Sequence, residues 1–334
     1  MDRDNALTHR RGLLLAFAAL ALSACGGGGD DAGSPGVPSP PPPDNSARIA
    51  AATATAASSS NACAAIRPFY WEIGDRSTAL ASGAVGGTTY GAGTTMNIAS
   101  ASKWLYGAYV VQRRAGAPTA EDIKHLTFRS GYTRFAICLP GQTVDGCLNY
   151  LNNGEYVPAS DGRFDYGGGH MQKHASLIGL GALNNASLAA ELRGQLGSDI
   201  VLTFSQPQPA GGVVSTPADY ARFLRKLLGG SLALGSLLGS QAVCTNPLTC
   251  PTADGTPVPT TESWHYSLGH WVEDDPVVGD GAFSSAGAFG FYPWIDAGRT
   301  HYGIVAREAA AGSGEASVNC GRLIRKAWVT GIAG

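Results

Sequence analysis

The chain has 334 residues, 44% hydrophobic and only 14% charged, with 46 glycines and a net charge of −2. The charged fraction lies below the roughly 25% of an average globular protein, and no basic stripe marks a nucleic-acid surface, which excludes nucleic acid as a partner. The composition is that of a loop-rich exported protein, long enough for one large domain or two intimate subdomains.

Residues 1–24 read as a processing signal. Arg10 and Arg11 precede an apolar run from Gly12 to Leu22, and small residues follow, the pattern of a secretory signal peptide. The stretch Leu22-Ser23-Ala24-Cys25 resembles the lipobox of bacterial lipoproteins. That resemblance implies cleavage before Cys25, a lipid on its thiol and, with Gly26 rather than aspartate next, sorting to the outer membrane. Residues 25–60 are rich in Gly, Pro, Ala, Thr and Ser, including Pro40-Pro41-Pro42-Pro43. They read as a disordered tether that holds a folded domain, 61–334, away from the membrane surface. No later apolar run is long enough to span a bilayer.

Seven cysteines less Cys25 leave six, an even number suited to an oxidising compartment. Spacing suggests two local loops, Cys138–Cys147 and Cys244–Cys250, which leaves Cys63 for Cys320. There is no Cys-x-x-Cys pair to suggest a metal site.

Within the domain, 68–73 and 77–82 read as two strands of a meander. An apolar helix over 104–111 follows, then helices over 119–126, 172–180, 188–196 and 217–228. The last of these opens on Ser215-Thr216-Pro217-Ala218-Asp219, with a cap, an early proline and an acid in the first turn. Strands return over 264–271, 288–295 and 300–307, and a helix over 322–329 closes the chain. This order predicts an α+β fold. The terminal thirds share one antiparallel sheet flanked by helices, a mainly helical lobe covers roughly 104–214, and a cleft lies between them.

Chemistry concentrates at Ser100-Ala101-Ser102-Lys103. A serine three residues before a lysine at a helix start is the S-x-x-K arrangement of active-site serine enzymes. The spacing puts both side chains on one helix face. The positive end of the helix favours an alkoxide on Ser100, and burial favours a neutral, proton-accepting Lys103.

Other landmarks follow in order. Ile123-Lys124-His125-Leu126-Thr127-Phe128-Arg129-Ser130-Gly131 resembles an "LLTHTSG" turn. Gly162-Arg163-Phe164-Asp165-Tyr166-Gly167-Gly168 resembles an "F-x-Y-S-N" motif. Gly211-Gly212-Val213-Val214-Ser215-Thr216-Pro217-Ala218-Asp219 resembles a "GG-x-x-STA-x-D" helix start. Ser285-Ala286-Gly287-Ala288-Phe289-Gly290 resembles an "H-T-G" or "K-T-G" strand. Together with Ser100 and Lys103, from about Pro68 to Trp328, these resemble the penicillin-recognising serine hydrolases: beta-lactamases, D,D-peptidases and the related esterases and amidases.

The resemblance implies a beta-lactamase/transpeptidase-like fold and an acyl-enzyme on Ser100. Lys103 and Tyr166 would handle protons, with Tyr166 shifted toward phenolate beside the lysine. The backbone N–H groups of Ser100 and Ala288 would hold the oxyanion. Gly168, His170, Ser285 and Gly287 would line the substrate site, with no metal and no cofactor. The partner is then a small-molecule or oligomeric ester or amide, and the membrane is met only through the N-terminal lipid.

Two positions depart from the family. Gly168 stands where an asparagine is usual, and Ser285 where a lysine or histidine opens the third motif. The missing cation argues against a penicillin carboxylate and favours esterase or amidase chemistry. The rival readings are a D,D-peptidase or beta-lactamase proper, and a non-catalytic envelope binding protein. His170 and His174, four apart, lack the glutamate of a metalloprotease helix.

Overall fold

The structure, a computed structural model, describes residues 44–334. The expected signal peptide, Cys25 and the tether up to residue 43 lie outside the described residues. The last part of that tether is corrected: Asn45–Ala57 form helix α1. Asp44 caps it, its Oδ1 accepting the Ala47 N–H at 2.8 Å, and alanine is the best helix former. Its buried face is Ala51, Ala52, Thr55 and Ala56.

In chain order there follow β1 (Phe69–Asp75), β2 (Ala79–Val85), β3 (Met96–Asn97), α2 (Ser102–Arg113), α3 (Ala120–Leu126), α4 (Val144–Leu148), β4 (Phe164–Asp165), α5 (Gly169–Ala175), α6 (Asn185–Leu196), β5 (Leu202–Phe204), β6 (Val213–Ser215) and α7 (Pro217–Leu228). The final third holds β7 (Val243–Cys244), β8 (Ala253–Gly255), β9 (His265–Tyr266), β10 (Trp271–Glu273), β11 (Ala282–Ser284), β12 (Tyr292–Ile295), β13 (His301–Ala306) and α8 (Gly314–Thr330).

The terminal thirds share one eight-stranded antiparallel sheet, ordered β2-β1-β13-β12-β11-β10-β9-β7. β1 is the reason. Six of its seven residues are buried, so it must be covered on both faces and paired on both edges. β2 takes one edge through the Asp75 turn, and β13 takes the other with Tyr70 opposite Ala306. Helices α1 and α8 pack together beside this sheet. Residues 104–214 carry most of α2, then α3 to α6, with short strands only.

Several elements differ from the sequence reading: the helix expected over 172–180 is α5, Gly169–Ala175, and α4 and β11 have no counterpart in that reading. The run 264–271 is two strands, because Gly269 at φ +83° turns the chain between β9 and β10. The strand expected from 288 begins at 292, after a turn in which the Gly290 N–H donates to the Gly287 carbonyl at 2.9 Å. The closing helix starts at Gly314 rather than 322.

All three cysteine pairs expected from spacing are disulfides: Cys63–Cys320, Cys138–Cys147 and Cys244–Cys250. The first closes 257 residues and fastens the start of the domain to α8.

A buried charge cluster fastens α8 to the sheet. Glu273, on β10, is fully buried and Arg325, on α8, is 2% exposed. Arg325 Nη2 donates to Glu273 Oε2 at 2.8 Å, and its Nε donates to Asp280 Oδ2 at 2.6 Å. Tyr292 donates to the other Glu273 oxygen at 2.6 Å, and Arg322 Nε adds a third contact at 3.0 Å. Removing one partner strands the rest of the charge in a dry interior. Arg325→Met should therefore cost about 3–5 kcal/mol, read as a lower urea midpoint. A loss below about 1 kcal/mol on the same scale would show that α8 is held by apolar packing alone.

Candidate active site

Ser100 lies in a 3-10 turn, Ala99–Ala101, immediately before α2. Ala99 has φ +44°, a left-handed conformation that L-residues adopt at a cost and that neighbouring contacts must hold. Ser102 Oγ donates to the Ala99 carbonyl at 2.6 Å and accepts the Val213 N–H at 3.2 Å. Tyr220 donates to the Ala101 carbonyl at 2.8 Å, and Ser285 Oγ donates to the Ser100 carbonyl at 3.0 Å. Every backbone carbonyl of the turn is thus gripped, while Ser100 itself stays half-exposed.

Lys103 is 5% exposed. Its Nζ lies 2.9 Å from Ser100 Oγ and donates to the Ala210 carbonyl at 2.7 Å. No carboxylate forms an ion pair with it among the described residues. Burial alone pushes its pKa down to about 7. Close backbone approach positions it. A Cβ on Gly107 would come within 2.3 Å of the Leu268 carbonyl oxygen, so α2 lies directly on the turn between β9 and β10.

Tyr166, just after β4, stacks on Trp271 with centroids 5.3 Å apart and meets Phe128 edge-on at the same distance. Lys103 Nζ sits 4.9 Å from the centre of its ring. Burial pushes the phenol up to about 12, and hydrogen bonding with the Ser100 and Trp271 side chains only partly opposes that. The expectation of a phenolate is therefore corrected: a neutral, buried lysine offers little charge to stabilise it, and Tyr166 is a proton-bearing phenol.

The other expected site residues divide. Ala288 and Gly287 line the cavity that opens on Ser100. The Gly287 N–H donates to the Phe291 carbonyl at 2.7 Å, and a Cβ there would lie 2.2 Å from the Ile98 carbonyl, so only glycine lets this turn meet the Ser100 segment. Neither the Ser100 nor the Ala288 N–H has a hydrogen-bond partner among the described residues. Both remain available to an oxygen on the substrate.

Ser285 is 2% exposed and spends its hydroxyl on the Ser100 carbonyl, which corrects its expected place in the substrate site: it holds the serine's backbone. His170 is corrected likewise. It is fully buried, with Nδ1 against Ser130 Oγ at 2.7 Å and Nε2 at 2.9 Å from the Asp165 carbonyl. It braces the backbone beside Tyr166 and stacks on Phe128 at 5.1 Å. Gly168 opens α5 beside Phe135 and Gln208.

His174 is buried between Tyr106 and Asp122, at 2.8 and 2.9 Å. Among the described residues, no group of three His, Cys, Asp or Glu side chains is placed to hold a metal ion.

Ser100 is shared by two cavities. One, of about 250 Å³, is walled by Val258, Trp264, Trp271, Ala286 and Val318. Arg322 also lines it, but that guanidinium is already committed to Glu262 at 2.8 Å and to Glu273, and lies over Trp264. The cavity is mostly apolar, with Glu315 and Asn319 also in its lining, and offers no free cation. The other, of about 490 Å³, is polar and reaches Lys103, Gln208, Gly211 and Glu308. Sequence reasoning missed Gln208 and the Ala210 carbonyl. A backbone acceptor leaves no trace in a sequence, and Gln208 belongs to no motif.

No protein-family model and no curated protein matches the sequence. Solved structures do match. EstCE1, described as a hydrolase with promiscuous acyltransferase activity, superposes with TM-score 0.58 at 11% identity, over 85% of this chain and 98% of its own. The octameric penicillin-binding protein homologue from Pyrococcus abyssi gives 0.57 at 12%, over 80% and 74%. Simvastatin synthase LovD from Aspergillus terreus gives 0.54 at 13%, over 86% and 96%. The chain has a beta-lactamase/transpeptidase-like fold, α+β with an antiparallel sheet and flanking helices.

Lys103 should leave a signature in stability. Its folded pKa of about 7 lies below the ordinary 10.5, so between those values the unfolded chain holds a proton that the folded chain does not. Stability therefore rises with pH across that window. Urea denaturation at pH 7 and 9.5 should show wild type gaining relative to Lys103→Met as pH rises. Equal shifts in both proteins would mean that Lys103 is not desolvated.

Proposed function

We propose that the protein is a serine hydrolase that cleaves esters or amides through an acyl-enzyme on Ser100. The observation that carries this is a buried lysine, without an ion pair among the described residues and with its pKa lowered to about 7, whose Nζ lies 2.9 Å from the oxygen of a half-exposed serine. A structural lysine would seek a carboxylate; this one faces a nucleophile.

Lys103, neutral at rest, takes the Ser100 proton as Oγ attacks the substrate carbonyl. The resulting oxyanion is held by the Ser100 and Ala288 N–H groups. When the tetrahedral intermediate collapses, the Tyr166 phenol gives its proton to the departing oxygen or nitrogen. The Lys103 ammonium, over the same ring, restores it. Water then attacks the acyl-enzyme, Lys103 takes its proton, and Ser100 regains one as the acid departs. No step needs a metal or cofactor.

The apolar cavity and the lack of a free cation beside Ser100 support neutral ester or amide substrates over a penicillin carboxylate. We further propose that the protein is exported and held to a membrane, the outer one where the host has two, by lipid on Cys25, the first residue left after a signal peptide over residues 1–24 is cleaved. The three disulfides support passage through an oxidising compartment.

A fluorophosphonate probe should add its mass to wild type and not to Ser100→Ala, and a reporter penicillin should label neither well. Ser100→Ala should lose nitrophenyl butyrate turnover by about a thousandfold or more. Turnover surviving in that variant would refute the nucleophile, and stoichiometric penicillin labelling would restore the beta-lactamase or D,D-peptidase reading. Cys25→Ser should move the protein from the membrane to the soluble fraction; unchanged membrane association would refute the lipid anchor.

A further inference from the structure

We infer that Gln208 forms a polar subsite that recognises an amide group of the substrate next to the bond being cleaved. This rests on the serine hydrolase reading above and deepens it.

The inference comes from accounting for the polar side chains around the 490 Å³ cavity on the Lys103 side of Ser100. Asn97 Nδ2 donates to Glu308 Oε1 at 2.7 Å, which engages both residues. Ser205 Oγ donates to the Gly212 carbonyl at 3.2 Å. Gln206 Oε1 accepts the Cys138 N–H at 3.1 Å. Lys103 and Ser100 hold each other. Gln206 Nε2 and Asn97 Oδ1 have no partner among the described residues, but only at Gln208 is neither end of the carboxamide engaged, and that residue is half-buried. A primary amide on a cavity wall with neither end engaged offers one acceptor and two donors to whatever fills the cavity.

The local backbone fixes where that carboxamide stands. The Gln208 N–H donates to the Gln206 carbonyl at 2.7 Å, and the Gln208 carbonyl accepts the Gly212 N–H at 2.8 Å. The same tight loop presents the Ala210 carbonyl that holds Lys103. A displacement of Gln208 is thus coupled to the base itself.

Gly168 makes the room. A Cβ built there would lie 3.2 Å from Gln208 Nε2 and 3.0 Å from Phe135 Cγ. With no side chain at 168, the Gln208 carboxamide, from another loop, occupies space that an asparagine at that position would otherwise fill. The departure at Gly168 and the free amide at Gln208 are two sides of one arrangement. A carboxamide pairs well with a secondary amide, donor to carbonyl and acceptor to N–H. It pairs with an ester alkyl chain not at all, and a site built to hydrogen-bond a group discriminates against its absence.

The test compares two activated esters that differ in one amide: the nitrophenyl ester of N-acetylglycine and nitrophenyl butyrate. Wild type should prefer the amide-bearing ester in kcat/KM. Gln208→Ala should lower that preference about tenfold, mainly through KM, as expected for one or two hydrogen bonds. Gly168→Asn, which crowds Gln208 and brings its own amide, should retain more of the preference than Gln208→Ala. An unaltered ratio of the two kcat/KM values in Gln208→Ala would overturn the inference, whether both rates fall together or neither falls. Fluorophosphonate labelling of Ser100 in each variant separates the two levels. A labelled Gln208→Ala with an unaltered ratio defeats the subsite alone. A wild type that is neither labelled nor active defeats the hydrolase reading beneath it.

Discussion

A lysine amine taken out of water and left without a counter-charge is the constraint around which this molecule is arranged. Burial penalises the ammonium form, and Lys103 is accordingly pushed toward neutrality near pH 7. Most folds avoid such a group. Here it is retained by one carbonyl acceptor at Ala210 and one hydroxyl at Ser100. Its surroundings are aromatic faces, Tyr166 and Phe128, rather than carboxylates. The cost to stability at neutral pH is what makes a proton acceptor beside the serine.

The rest of the fold supplies rigidity to that pair. The turn carrying Ser100 is gripped at its carbonyls by Ser102, Tyr220 and Ser285, from α2, α7 and the turn after β11. Helix α2 can lie on the β9–β10 turn because Gly107 and Gly269 leave no Cβ between them. Tyr166 is fixed by stacking on Trp271 and by His170, which braces the Asp165 carbonyl. The buried Glu273–Arg325 pair joins α8 to the sheet, and Arg322 extends that network to Glu262 on the cavity wall. The shape of the apolar cavity thus depends on charges that never touch its contents.

Much of this was legible in the sequence, for identifiable reasons. Ser100, Lys103 and Tyr166 lie in local patterns whose spacing carries the chemistry, and the structure brings them together. The cysteine pairs followed from spacing, since two were local and the third had no other partner. The shared sheet followed from strands at both ends of the chain. What failed was long-range or compositional. Residues 45–57 read as low complexity, although Asp44 and the alanines that follow are a capped helix. Ser285 and His170 were expected in the substrate site because they sit in or near motifs. Their partners, the Ser100 and Asp165 carbonyls, are backbone atoms that no motif names. The phenolate expected of Tyr166 assumed a charged lysine, whereas burial removes that charge first. Gln208 went unseen because its meaning lies in Gly168, forty residues earlier.

Everything in the proposed chemistry turns on Lys103 being the base that activates Ser100. The most direct measurement is the rate at which Ser100 is acylated by a neutral fluorophosphonate, followed by intact mass from pH 5 to 10. The rate should rise through a single ionisation near pH 7 and fall by orders of magnitude in Lys103→Met, with that ionisation gone. A rate that keeps rising to the ordinary lysine range near 10.5, or an unchanged profile in Lys103→Met, would contradict that role.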